Sequence, residues 1–273
     1  MTDLGRLVRL PNLLIAAGGV LAGGWIALGH IAITAPLGWA AIAAVGLGTF
    51  ANVLDDLWDE EGDRINARTD RPLAAGRMSR GAAHLLVFWG VLIGLGASAL
   101  VGGPAVIAAL VALVVMALYA PVLKTRGVAG NIAVGVVAGF PLCFGALAVG
   151  RASLGLVPWV LAAWLHFGRE IVKDLLDEPG DRASGRRTLP IVLGAAGARR
   201  VASATLVSFV GVSLLLPWLA GYHAAYFGVA ALAQLLVLLV ARRLSHAVVA
   251  GGGGMLKGAM VIGVAALVLG RVV

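Results

Sequence analysis

Nine runs of mostly apolar residues partition this chain, at roughly 12–29, 36–54, 82–101, 104–120, 129–149, 153–173, 201–220, 224–241 and 254–270. A helix needs about 20 such residues to cross the hydrocarbon of a bilayer. The runs are rich in Ala, Leu, Val and Gly without strict alternation, so helices fit them better than the short alternating strands of an outer-membrane barrel. Only 12% of the 273 residues are charged, where a soluble domain carries about a quarter. Lipid is therefore the solvent for most of the surface. The expected fold is all-α: one polytopic membrane domain spanning 1–273, with nine transmembrane helices and a cap of loops on one side.

Charge gives the orientation. Of 21 Lys and Arg, sixteen fall at the N-terminus or in the loops after runs two, four, six and eight, while the opposite side keeps Arg151 and Arg271. The positive-inside rule makes the N-terminus and those loops cytoplasmic, and nine crossings place the C-terminus outside. The net charge of +8 is thus a topology signal, and nucleic-acid binding is not expected. The first run lacks a small-residue cleavage site after a short apolar core, so it reads as a retained helix. Cys143 is the single cysteine, which excludes an intrachain disulfide. The five histidines have no metal-ligand spacing, no glycine loop for phosphate follows a strand, and no obligate protein partner is evident.

Acidity is concentrated. All of the thirteen Asp and Glu except Asp3 lie in two windows, 55–70 and 170–181. The windows carry nearly the same phrase, "DLWDEEGDR" at 56–64 and "DLLDEPGDR" at 174–182. Asp56, Asp59 and Asp63 repeat the i, i+3, i+7 spacing of Asp174, Asp177 and Asp181, which keeps each set within about 60° on one helix face. Asp55 adds a carboxylate four residues before Asp59. Crowded carboxylates repel unless something positive sits among them, and hard oxygen donors suit Mg²⁺ bound together with substrate phosphates. Two such sets facing each other could hold a pair of Mg²⁺ ions with a diphosphate between them. Basic residues follow each phrase and could meet phosphate oxygens: Arg64, Arg68 and Arg71 after the first, Arg182, Arg186 and Arg187 after the second. Charge enrichment alone would not reproduce the order of the two phrases.

At these residues the chain resembles the UbiA superfamily of intramembrane prenyltransferases, over essentially its whole length. The first family motif, Asn-x-x-x-Asp-x-x-x-Asp, maps onto Asp55, Asp59 and Asp63, followed by "RTDRPLAAG" at 68–76; Asp55 stands where the family usually has Asn. The second maps onto Asp177 and Asp181, with Asp174 ahead of it. "YAPVLKTRGVAGN" at 119–131 resembles the family's Tyr-to-Lys segment, and its five-residue spacing matches the archaeal lipid-forming branch. "RLPN" at 9–12 resembles the start of the family's first helix. The string from Arg169 to Pro190, "REIVKD…DEPGDR…GRRTLP", is similar to the digeranylgeranylglyceryl phosphate synthase branch.

The resemblance implies a nine-helix UbiA-type bundle and an Mg²⁺-dependent enzyme with two aspartate-rich motifs, at 52–73 and 169–190. Such an enzyme transfers a geranylgeranyl group from its allylic diphosphate to geranylgeranylglyceryl phosphate, forming an ether bond in membrane lipid synthesis. It implies Asp55, Asp56, Asp59, Asp63, Asp174, Asp177 and Asp181 as metal-site residues, and Lys124, Arg68, Arg71 and Arg187 on the diphosphate. Asn12, Asn66, Tyr119 and Asn131 are candidates for lining the substrate cavity. The segment 65–79 is expected to form a short cap helix bounded by Pro72 and Gly76. Two alternatives stay open: an aromatic acid or quinone precursor as acceptor, and a membrane transporter, whose ionisable groups would sit nearer the bilayer midplane.

Overall fold

The computed structural model describes residues 2–65, 67–183 and 185–273. A short helix α1 (Asp3–Leu7) leads into α2 (Leu10–Leu28), α3 (Ala35–Ile65), α4 (Arg80–Val101), α5 (Gly103–Leu118), α6 (Val128–Ala148), α7 (Leu156–Ala183), α8 (Leu189–Leu219), α9 (Ala224–Ser245) and α10 (Gly252–Val272). The described residues contain no strand. Eight of the nine long helices are long and apolar enough to cross a membrane. The ninth, α7, has 28 residues but carries Arg169, Glu170 and Lys173 where its apolar run ends. The chain is a multi-pass integral membrane protein.

The helix ends follow local chemistry. Ser79 caps α4 by accepting a hydrogen bond from the Ala82 amide at 3.2 Å, a contribution of about 1 kcal/mol. Arg9, in a left-handed conformation (φ 52°), turns the chain between α1 and α2, and Pro11 sits in the first turn of α2. Between α5 and α6 the backbone widens into a π turn over Tyr119–Leu123, in which the Lys124 amide donates to the Tyr119 carbonyl five residues back. A 3₁₀ turn, Lys124–Arg126, follows.

The bundle closes on itself. α3 packs on α4, α2 on α3 and α6, α6 on α7, α7 on α8, α8 on α9 and α9 on α10, while α10 returns to touch α2 and α7. The largest buried cluster joins α7 through α10 around Ile171, Leu206, Val237 and Leu256. A smaller one docks α1 at the base of α3, where Leu7 meets Val53, Leu73 and Ala83. Large apolar side chains such as Ile15, Phe88, Ile107 and Leu232 remain exposed, as a lipid-facing surface requires. Lipid tails give helices no hydrophobic reason to associate, so close backbone approach has to hold them. Gly23 of α2 lies against the backbone of Leu142, and Gly145 of α6 against that of Val20. On the other flank, a Cβ at Gly46 would come within 2.6 Å of the Gly94 amide nitrogen, and one at Gly90 within 2.8 Å of that of Phe50.

α3 continues unbroken through the first acidic phrase to Ile65, so those carboxylates stand on the helix face that their spacing predicts. Two expectations need correction. Segment 67–78 forms a series of turns and no cap helix; Arg77 and Met78 fold back onto the Pro72 carbonyl, and the Arg77 side chain is held by Asp3 and the Thr69 carbonyl. The seventh span begins not at 201 but at Leu189, with a kink at Gly194 (φ 70°). Asn66 lies outside the described residues.

The glycine crossing predicts a sharp contrast. Gly23→Val forces the α2 and α6 backbones apart and should lower the melting temperature in detergent, consistent with an overpacking cost of about 1–3 kcal/mol. Gly18→Val, a position with open space around it, should leave the melting temperature unchanged.

Candidate active site

The two acidic phrases meet at one end of the bundle. On the last turns of α3, Asp55 and Asp59 face the α5–α6 connection, where Lys124 Nζ donates to Asp55 Oδ1 at 2.9 Å and also to Asp59 Oδ2. Tyr119 lies beneath the same ammonium, its ring centroid 5.8 Å away. The π turn brings these two side chains onto one side.

The second phrase continues α7 through Pro179 and Gly180 to Ala183. Asp174 is buried and accepts from Asn131 Nδ2 at 2.9 Å. Asp181 accepts from Arg186 Nη1 at 3.1 Å, and Arg186 Nη2 reaches Asp59 Oδ1 at 2.9 Å. Arg186 therefore bridges the two phrases. A polar crevice opens between them, lined by Tyr119, Lys124, Asn131, Asp174, Asp177 and Asp181, together with Glu170, Lys173, Arg186 and Thr188. Asp177 is exposed into it and has no ion-pair partner among the described residues.

Other predicted residues do different work. Asp56, 2% exposed, is clamped between Arg71 and Arg9, the latter at 2.6 Å. Arg9 also reaches Asp55 at 2.8 Å, so one guanidinium joins the crevice face to the buried face behind it. Asp63 lies 3.8 Å from Arg71. Arg68 forms an exposed pair with Asp70, whose hydrogen bond holds Asp70 below the usual carboxylate range. Arg187 and Asn12 are exposed and lie outside the crevice lining.

The sequence groups Arg186 with its basic neighbours and the resemblance favours Arg187 on the diphosphate, whereas the structure brings Arg186 into the site. The signal was in the repeat. "DRINAR" (63–68) aligns with "DRASGR" (181–186), and both close in the same way: the Arg68 amide donates to the Asp63 carbonyl and the Arg186 amide to that of Asp181, each at 2.9 Å. A left-handed residue, Ala67 or Gly185, makes each turn. Glycine just past a helix end is the usual mark of such a turn, and here it aims Arg186 back over Asp181. Burial opposes the charges of Arg9 and Arg186, but their aspartate partners outweigh it and raise both above the ordinary arginine value.

The donor set is all oxygen, as Mg²⁺ prefers. Around the crevice, Asp55 and Asp59 are met by Lys124, Arg9 and Arg186, Asp181 by Arg186, and Glu170 by Arg169 and Lys173. This leaves Asp174 and Asp177 without an ion pair among the described residues for a divalent cation to meet. No three carboxylates among the described residues converge on one point, because Lys124 and Arg186 stand between them. The residues fit the ion provided those two cations exchange their carboxylates for substrate oxygens.

A bundle of membrane helices with paired aspartate motifs at one end defines a class, and comparison with known proteins identifies it. The UbiA prenyltransferase family matches residues 16–251, and the chain belongs to that family. It is a prenyltransferase, which sets aside the transporter alternative. The chain is 36% identical to the digeranylgeranylglyceryl phosphate synthase of Halobacterium salinarum, over 98% of its own length and 96% of the relative's. It is 36% identical to that of Thermococcus gammatolerans over 81% and 80%. A solved structure concerned with digeranylgeranylglyceryl phosphate synthase in membranes superposes with a TM-score of 0.81 at 25% identity, covering 99% of this chain and 98% of that one. A UbiA homolog from Archaeoglobus fulgidus bound to DMAPP and Mg²⁺ shares the fold with a TM-score of 0.73 at 16% identity, over 97% and 99%.

Because Arg186 bridges the motifs and Arg187 does not, Arg186→Gln should cut prenyl transfer by roughly 100-fold, the usual loss for one charge-stabilising donor. Arg187→Gln should stay within about twofold, since surface substitutions outside a site change little. Initial rates on the two purified variants decide this.

Proposed function

We propose that this prenyltransferase moves a geranylgeranyl group from geranylgeranyl diphosphate to the free hydroxyl of geranylgeranylglyceryl phosphate, making an ether-linked membrane lipid. The observation that carries the reading is the crevice between two carboxylate sets, with Lys124 and Arg186 suspended between them. The synthases named above, similar over nearly the whole chain, support the acceptor. The Archaeoglobus homolog bound to DMAPP and Mg²⁺ supports the ion and the donor class.

Asp55 and Asp59 on α3, with Asp174, Asp177 and Asp181 on α7, would hold two Mg²⁺ ions; Asp63 is available once Arg71 turns to the substrate. Bound there, the metal supplies Lewis acidity to the departing diphosphate. Lys124 and Arg186 release their aspartates and take diphosphate oxygens, so the same cations that keep the carboxylates apart become the grip on the leaving group. Arg9 keeps Asp56 in place behind them. The donor's C1–O bond breaks with its electron pair leaving on the diphosphate, and a lone pair of the acceptor hydroxyl forms the new C–O bond as its proton passes to an oxygen of the departing diphosphate. Tyr119 and Asn131 line the crevice wall, and the apolar helices below would exclude the water that otherwise captures the reacting carbon.

The distribution of Lys and Arg supports a cytoplasmic N-terminus, a cytoplasmic crevice and an external C-terminus. Cys143 is buried, which makes a cysteine-free Cys143→Ala background practical. In intact cells, an impermeant maleimide should label Gly221→Cys and not Gly185→Cys; the reverse pattern inverts the topology.

The activity test measures diphosphate release by purified protein in detergent, with geranylgeranyl diphosphate and Mg²⁺, offering either geranylgeranylglyceryl phosphate or 4-hydroxybenzoate. Release with the glyceryl phosphate, abolished by EDTA and by Asp59→Ala combined with Asp177→Ala, is the expected outcome. Release with the aromatic acid alone overturns the acceptor assignment.

A further inference from the structure

Among the nine long helices, α7 is the one without a stretch long and apolar enough to cross a membrane, because Arg169, Glu170 and Lys173 stand where its apolar run ends. A buried ionisable group there is expensive and calls for a functional reason. The Asp59–Arg186–Asp181 bridge does not use them. Glu170, 6% exposed, accepts from Arg169 Nη1 at 2.8 Å through Oε1 and lies 3.5 Å from Lys173 Nζ through Oε2. One carboxylate thus occupies a two-cation cradle. Arg169 Nε is also buried without a hydrogen-bond partner among the described residues, leaving a donor unused. Lys173, its side chain half exposed, and Glu170 both line the crevice; Arg169 is outside that lining and reaches it through Glu170.

We infer that Arg169 and Lys173 form the subsite for the acceptor's phosphate monoester, with Glu170 as the anion that holds the cradle open until the acceptor arrives. This rests on the functional reading above and deepens it. Depth is the first argument. The reacting carbon hangs on the membrane side of the donor's diphosphate, so the acceptor's groups belong level with or below Asp174, the deepest of the three α7 aspartates. Lys173 adjoins Asp174, and Arg169 lies five residues before it, about 7.5 Å along the axis. Chemistry is the second. In a glyceryl phosphate lipid the phosphate is a few bonds from the free hydroxyl, so the two groups occupy adjacent positions in one crevice. A guanidinium with an open donor beside an ammonium matches a phosphate with several acceptor oxygens. Asp174 and Asp177 flank Lys173 and oppose an anion there; divalent cations held by those carboxylates would offset that repulsion. The subsite therefore selects acceptors that carry an anion next to the nucleophilic hydroxyl.

The test compares two acceptors, geranylgeranylglyceryl phosphate and its neutral analogue geranylgeranylglycerol, in wild type, Arg169→Gln, Lys173→Gln and the double variant. The expected result is a KM for the phosphorylated acceptor raised about tenfold or more per variant, as loss of a charge-assisted contact implies. The KM for geranylgeranyl diphosphate should stay within about twofold, and turnover of the neutral analogue should match wild type. Arg169→Lys and Lys173→Arg should recover part of the acceptor KM, which guards against misfolding. As an independent readout, geranylgeranylglyceryl phosphate without donor should raise the melting temperature of wild type and not of the double variant. Equal losses on both acceptors, a raised donor KM or unchanged acceptor KM each overturns the subsite while leaving the function intact. A wild type that ignores geranylgeranylglyceryl phosphate overturns the functional reading, and the subsite with it.

Discussion

Carboxylates gathered at the edge of a low-dielectric bundle must be matched by cations, and here that matching fixes the relation between the two halves of the site. α3 and α7 share no substantial packing interface among the described residues. What relates their acidic ends is side-chain chemistry: Lys124 on Asp55 and Asp59, and Arg186 on Asp59 and Asp181. Arg9 and Arg71 extend the same network to the N-terminal segment and to the turn-rich connection after α3. Buried ion pairs are costly to desolvate and seldom improve stability over apolar packing. Their presence makes sense as a cost borne to keep two carboxylate sets at one end of the bundle with cations between them.

The apolar bundle and the ionic site divide the labour. Close crossings of small residues, Gly23 and Gly145 above all, hold α2 and α6 together without needing polar contacts in the hydrocarbon. Among the described residues the acids are then confined to α1 and to the segments at one end of α3 and α7. This leaves the bundle interior dry below the crevice, the condition for chemistry in which water is a competing nucleophile.

Much of this was legible in the sequence because helix periodicity and membrane thickness act on short stretches. The apolar runs located the long helices, and the i, i+3, i+7 spacing placed each aspartate set on one face. What escaped was set by contacts distant in sequence or by single backbone angles. The i, i+3, i+7 face groups Asp56 with Asp59 and Asp63, whereas the cations sort them: Asp55 and Asp59 turn to Lys124, and Asp56 is drawn behind by Arg9, a pairing that depends on a left-handed turn at residue 9. Arg186 and Arg187 are neighbours in sequence, and only the turn at Gly185 decides which faces Asp181. The apolar pattern hid the true start of α8, because the turn at Leu189–Leu193 is broken from the rest by Gly194.

The π turn at Tyr119–Leu123 has a consequence for how this segment can vary in length. A π turn is an α-helix carrying one extra residue without a change of axis. Deleting a residue between Tyr119 and Lys124 would let the turn relax to an ordinary helix, with α5 still able to span. Because the wide turn is what absorbs the extra residue, its relaxation would leave every position downstream on the face it now occupies, and the Lys124 ammonium would still point at Asp55 and Asp59. Deleting a residue from the ordinary helix of α5 would instead turn everything downstream by about 100° and carry that ammonium off the face. Within the π turn, length is decoupled both from folding and from the direction of this charge.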